Sequence, residues 1–195
     1  MADVVGINGK EVVAAFHYVR DIYRNVSRIL QACDPSMQQR GFRAYKWSAV
    51  WTPGDKVTTP EKWAPYWAVR QYHRRDTQNQ EVLTVAAVMW DPRHEEMETP
   101  VLIGSRMQVV TTSGPEAFWV GLWQHWSTQT PDGEARRLSV ENPTRLTPND
   151  VAKAKALLAD GTLLSVAIPL LEVVSIDVVE RRVIDPLLRE PWPLI

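Results

Sequence analysis

Residues 81–90 read EVLTVAAVMW, and from Val82 to Trp90 the only polar side chain is Thr84. A strand built from these residues has no side fit for water, so it belongs in the middle of a sheet covered on both faces. The run is far shorter than the roughly 18 apolar residues that cross a bilayer as a helix, so no membrane partner is expected. DPRHEEMETP (91–100) follows as a polar loop, and VLIGSRMQVVTT (101–112) reads as the antiparallel partner across it. Upstream, Tyr66 to Arg74 alternates: Trp67, Val69 and Gln71 point one way, Tyr66, Ala68, Arg70 and Tyr72 the other. RAYKWSAVW (43–51), with Tyr45, Trp47 and Trp51 on one side, supplies another strand. Downstream, TLLSVAIPLLEV (162–173) is a late strand in which Pro169 demands an edge or a bulge, and RRLSV (136–140) is a short one.

Helix signals flank these strands. Asn8 and Glu11 open an amphipathic helix over residues 9–33, in which Phe16, Val19, Tyr23, Val26, Leu30 and Cys33 recur at three- and four-residue steps. The Asp34-Pro35 pair is its expected end. Thr58 and Glu61 form a capping box with Pro60 in the first turn, giving a short helix PEKWAP. Ser113, Glu116 and Pro115 open PEAFWVGLWQHW (115–126) in the same way. Thr147, Pro148 and Asp150 start a helix that stops at Asp160-Gly161, and Ser175 caps IDVVERRVIDPLL, kinked or stopped near Pro186. The expected fold is α+β in a single domain over residues 1–195, with an antiparallel sheet of about four or five strands, an N-terminal helix and several later helices packed on it.

Composition narrows the function classes. Residues 1–80 hold 12 Lys and Arg against 7 Asp and Glu, and residues 81–195 hold 10 against 16, so the surface is polarised if the halves separate in space. The net charge of -1 gives no global pull toward nucleic acid or an anionic membrane. The lone cysteine, Cys33, excludes CxxC-type zinc and redox motifs and sits on the apolar side of the first helix, as a buried thiol would. The N-terminus lacks the basic and apolar regions of a secretory signal, so the chain is expected in the cytoplasm. There is no nucleophile elbow, no Gly-rich phosphate loop and no dinucleotide fingerprint, and nothing calls for a cofactor.

Three groups of residues could carry function. Nine tryptophans are unusual for this length, and because indole suits cores and interfaces alike, most are expected to build the interior. Trp63 and Trp67 fall in that group. Trp119, Trp123 and Trp126 form one stripe on their helix, and Trp192 and Ile195 end a Pro-restricted tail, so these five are the candidate partner interface. Arg20, Arg24 and Arg28 line the first helix at four-residue steps, and Arg43, Lys46, Arg70, Tyr72, Arg74 and Arg75 follow. Arg forks could hold phosphates while rings receive unpaired bases. Asp91, His94, Glu95 and Glu96 are the densest hard-ligand set and could hold a divalent cation that activates water, although such a loop is also the ordinary way to solvate a hairpin tip. No lysine stands two positions after an acidic residue, the E-x-K or D-x-K spacing of many nucleases, anywhere in the chain.

The leading expectation is a non-enzymatic binding or adaptor subunit acting through protein–protein contacts or self-association. The alternatives are a nucleic-acid-binding protein using the Arg and aromatic surface, and a divergent metal-dependent hydrolase or nuclease.

Overall fold

The computed structural model describes residues 8–45, 49–51, 66–75, 80–90, 97–109, 131–139, 151–152, 155–156 and 158–189. Its frame is one antiparallel sheet of seven strands: β1 (Arg43–Ala44), β2 (Ala49–Trp51), β3 (Trp67–Arg75), β4 (Gln80–Val88), β5 (Val101–Val109), β6 (Arg136–Ser139) and β7 (Leu158–Pro169). They run in the order β1-β3-β4-β5-β7-β6, with β2 also on β3. The doubly apolar run is the central β4, between β3 and β5, and Val82 to Val88 are all buried. Thr84 opposes Gln71 on one neighbour and Ser105 on the other.

The α+β class stands, with more strands than expected and fewer helices among the described residues; the helices expected at 60–65 and 115–126 lie outside them. Of the strand expected over residues 43–51, Arg43–Ala44 and Ala49–Trp51 are described as β1 and β2, each paired with β3. The helix expected to run to Asp160-Gly161 gives way earlier, because Leu158–Asp160 already belongs to β7. Gly161 takes φ +66 beside a register shift opposite Met107 and Val109, so the glycine expected to stop the helix makes a bulge within the strand instead. Pro169, expected at an edge or bulge, is the last residue of β7, where its missing N–H costs least.

The helices of the described residues cover one face. The long helix α1 (Gly9–Gln39) packs there with a C-terminal helical stretch: an α turn, α2 (Ile176–Val179), a π segment (Glu180–Ile184) and a final α turn, α3 (Asp185–Arg189). The kink expected near Pro186 takes the form of that π segment, since a proline without an N–H cannot continue the preceding α ladder. The main core gathers Val26, Leu30, Cys33 and Met37 of α1, Tyr72, Leu83, Val85, Leu102, Val166 and Ile168 of the sheet, and Val179, Val183, Ile184 and Leu187 of the C-terminal stretch. Burying each such side chain is worth about 1.5–3 kcal/mol before entropy is counted. Gly104 lets the C-terminal stretch touch the sheet, because a Cβ there would lie 2.4 Å from Val183 Cγ1 and 2.8 Å from Leu187 Cδ1.

The second face is buried as well, and a polar row crosses it. Gln71, Thr84, Ser105 and Ser165 stand opposite one another on four adjacent strands, between one apolar cluster around Trp67, Val69 and Ile103 and another around Val82, Met107 and Leu163. Gln71 donates to Thr84 Oγ1 at 3.4 Å, and Ser165 Oγ donates to the Gly104 carbonyl at 3.1 Å, which leaves Ser105 to donate to Ser165 across 3.3 Å. Hydroxyls so paired help specify register without asking for a ligand.

Candidate protein interface on the first helix

α1 begins where the sequence places it. The Asn8 side chain accepts from Lys10 N at 3.0 Å, and Glu11 lies in the first turn, both favourable at a helix N-terminus. It does not end at Asp34-Pro35. Pro35 lies inside the helix, which runs on to Gln39; the stop is Gly41 at φ +81, with Gly41 N bonded to the Gln38 carbonyl and Phe42 N to the Met37 carbonyl. These bonds make a Schellman cap, and the buried Phe42 and Met37 supply its apolar contact.

One apolar seam runs the length of the helix: Val12, Phe16, Val19, Tyr23, Val26, Leu30, Cys33 and Met37, alternating steps of four and three. A helix of 31 residues is about 46 Å long, whereas a nine-residue strand spans roughly 30 Å. The seam therefore outruns the sheet. From Val26 onward it is buried against the core, but residues 8–21 are exposed throughout. Phe16 is 70% exposed, Val13 54% and Val19 40%, on a helix whose other half shows what such a seam is for. A shallow groove along this arm is lined by Phe16, Val19, Tyr23 and Ser27 with Arg20 and Arg24 at its rim.

The buried half is anchored by charge. Arg70 forks onto Asp34, Nε to Oδ1 at 2.9 Å and Nη2 to Oδ2 at 2.7 Å, and the Tyr72 hydroxyl donates to the same Oδ1 at 2.9 Å. The Arg70 hydrogen bond, followed by that of Tyr72, outweighs partial burial and holds the Asp34 carboxyl below its usual range. Arg40 reaches Asp185 at 3.0 Å and Glu180 at 3.5 Å, tying the end of α1 to the C-terminal stretch. Glu81, buried, takes ion pairs from both Arg74 and Arg106, and Arg106 Nη1 also donates to the Leu187 carbonyl at 3.0 Å. Cys33 is fully buried, and burial together with Asp34 and Glu180 pushes its thiol up to about 12.

The basic residues expected at a nucleic-acid surface are dispersed among these roles. Arg20, Arg24 and Arg28 are exposed along α1, and the first two share Asp21, at 3.1 and 3.5 Å. Arg43, exposed on β1, pairs in register with His73, whose ring packs on Tyr45 at 4.6 Å. Burial first, then Arg43, holds His73 below its usual value. Arg70 is engaged with Asp34, and Arg74 with Glu81 while lying over the Phe42 ring. Tyr72 has no exposed surface, so its ring has no open face on which a base could stack.

Lys46, the side chain of Arg75, the loop residues Asp91, His94, Glu95 and Glu96, and Trp63, Trp119, Trp123, Trp126, Trp192 and Ile195 lie outside the described residues. Trp67 is buried, as expected of a core tryptophan. Among the described residues no cluster of His, Cys, Asp and Glu could hold a metal ion, and no helix is long and apolar enough to cross a membrane. Sequence spacing puts Phe16 and Val19 on the apolar side of the first helix without showing that they overhang the core; the signal is a helix longer than the strands it packs on. No protein-family model, curated protein or solved structure significantly matches the chain.

Proposed function

We propose that the protein is a non-enzymatic binding or adaptor subunit, set in the cytoplasm, that works through protein–protein contacts made by the N-terminal half of α1. The observation that carries this reading is the exposed stretch of a seam whose continuation is core: Val12, Phe16 and Val19 keep the seam's spacing yet meet solvent. Ordered apolar side chains grouped on one face mark docking sites far more often than isolated ones do. The groove rim adds selectivity, since Arg20 and Arg24 can meet acceptors at the edge of a bound helix.

The full chain and its Phe16→Asp variant, each expressed in the host and purified under mild conditions, test the reading by size-exclusion chromatography with light scattering. The wild type should emerge as a complex, with itself or with another protein, and the variant as a folded monomer that melts as the uncomplexed wild type does. A wild type that is monomeric, partnerless in host extract and catalytically active would overturn it.

A further inference from the structure

The groove and seam of the α1 arm leave open which molecule covers them; resting on the docking role proposed above, we infer that the occupant is a second copy of this chain, its arm laid antiparallel against the first. The seam itself sets the register. A twofold axis between residues 17 and 18 places Val12 of one arm against Tyr23 of the other, and Phe16 against Val19. Every layer then pairs a β-branched residue with a ring, so the volume of each layer is equal. A parallel pair would stack ring on ring and valine on valine, the less even way to fill an interface. It would also bring both globular domains to the same end of the pair, because the second half of α1 lies on its own sheet. Antiparallel arms put the domains at opposite ends and align the helix dipoles favourably.

Charge permits the pairing. The arm carries Lys10, Glu11, Arg20, Asp21 and Arg24, three cations against two anions, and Asp21 is shared by the two arginines. In the register above Arg20 faces Ala15 and not another cation. A polyanion would find one uncompensated positive charge per arm, and a copy meets little repulsion. Area sets the strength. Val12, Val13, Phe16 and Val19, with half-buried Ile22 and Tyr23 and the Arg20 stem, offer on the order of 500 Å² per arm. Two arms bury about 1,000 Å², the lower bound for a specific interface, which fits a dimer with a micromolar dissociation constant. Continuity with the intramolecular seam means that the arm is already helical and loses little entropy on pairing.

Sedimentation of the full chain over a wide concentration range should show a mass rising from 22.2 kDa toward twice that. Phe16→Asp should weaken the dimer by about a hundredfold or more while leaving unchanged the far-ultraviolet melt taken at concentrations too low for the wild type to pair. Register is read by oxidising mixtures of Val12→Cys and Tyr23→Cys chains; the buried Cys33 stays in place. The mixed pair should cross-link and neither variant alone should. Cross-linking of Val12→Cys with itself would overturn the antiparallel arrangement. A wild type that stays monomeric yet is recovered with a different protein, lost on Phe16→Asp, would overturn self-pairing and keep the docking role. A monomer with no partner would end both.

Discussion

The two halves of α1 have the same seam and opposite surroundings. Val26, Leu30, Cys33 and Met37 are buried against the sheet; Val12, Phe16 and Val19, at the same spacing, are exposed. Spacing therefore reports that a helix has an apolar side, and the length of what lies beneath it decides how much of that side is core. The half on the sheet is further fixed by Asp34 and Arg40, which hold it to β3 and to the C-terminal stretch. The half beyond it has no comparable tie among the described residues and is left with a surface instead.

The contrast breaks most sharply under truncation. Leu30→Ala should cost about 2–5 kcal/mol, the range for a buried leucine that leaves a cavity, read as a lower midpoint in chemical denaturation. If Leu30→Ala proved as mild as a surface change, the docked half would not be core.

Next in size is the anchor. Asp34→Ala removes the Asp34 acceptor of the Arg70 fork and the shorter of the two Tyr72 hydroxyl bonds, leaving the one to the Leu30 carbonyl, and should cost about 1–3 kcal/mol, while Asp34→Asn, which keeps an acceptor oxygen, should cost less. The Asp34 carboxyl is held below the ordinary 3.8 in the folded chain, so the unfolded chain takes up the proton first as pH falls. Its contribution is complete above the ordinary value and lost as pH drops through the folded one. The wild type should thus lose stability below about pH 4 more steeply than Asp34→Asn, in paired melts across that range.

Much of this was legible in the chain and some was not, for reasons that can be located. EVLTVAAVMW fixes its own place at the sheet centre because an apolar strand has nowhere else to go. Asn8 and Ser175 mark both helix starts, Asn8 through a local side-chain cap and Ser175 as the extended residue before the first turn. The end of α1 was misjudged because Pro35 is a local breaker while the contacts that override it, Met37 and Cys33 in the core and Arg40 on Asp185, are long-range. The local signal that matches the true end is Gly41, the glycine of the Schellman cap. The dispersal of Arg70, Tyr72 and Arg74 was not readable at all, as Asp34 and Glu81 lie far from one or more of their partners in sequence or on other strands.

Gly41→Ala gives a smaller effect that sharpens the boundary between cap and core. Its positive φ is strained for any residue with a Cβ, and a loss of about 1 kcal/mol is expected in thermal melts. Smallest of all is Phe16→Ala, which should change the stability of the monomer by no more than about 0.5 kcal/mol, because a side chain that meets water leaves no cavity when shortened. A cost of several kcal/mol there would put Phe16 in the core and erase the difference between the halves.

The most direct measurement is photo-cross-linking from a photoreactive phenylalanine analogue carried at position 16 of the full-length chain. The account predicts a product between two chains, mapped to the α1 arm of the second. A product within one chain, joining position 16 to its own sheet or C-terminal helical stretch, would contradict it.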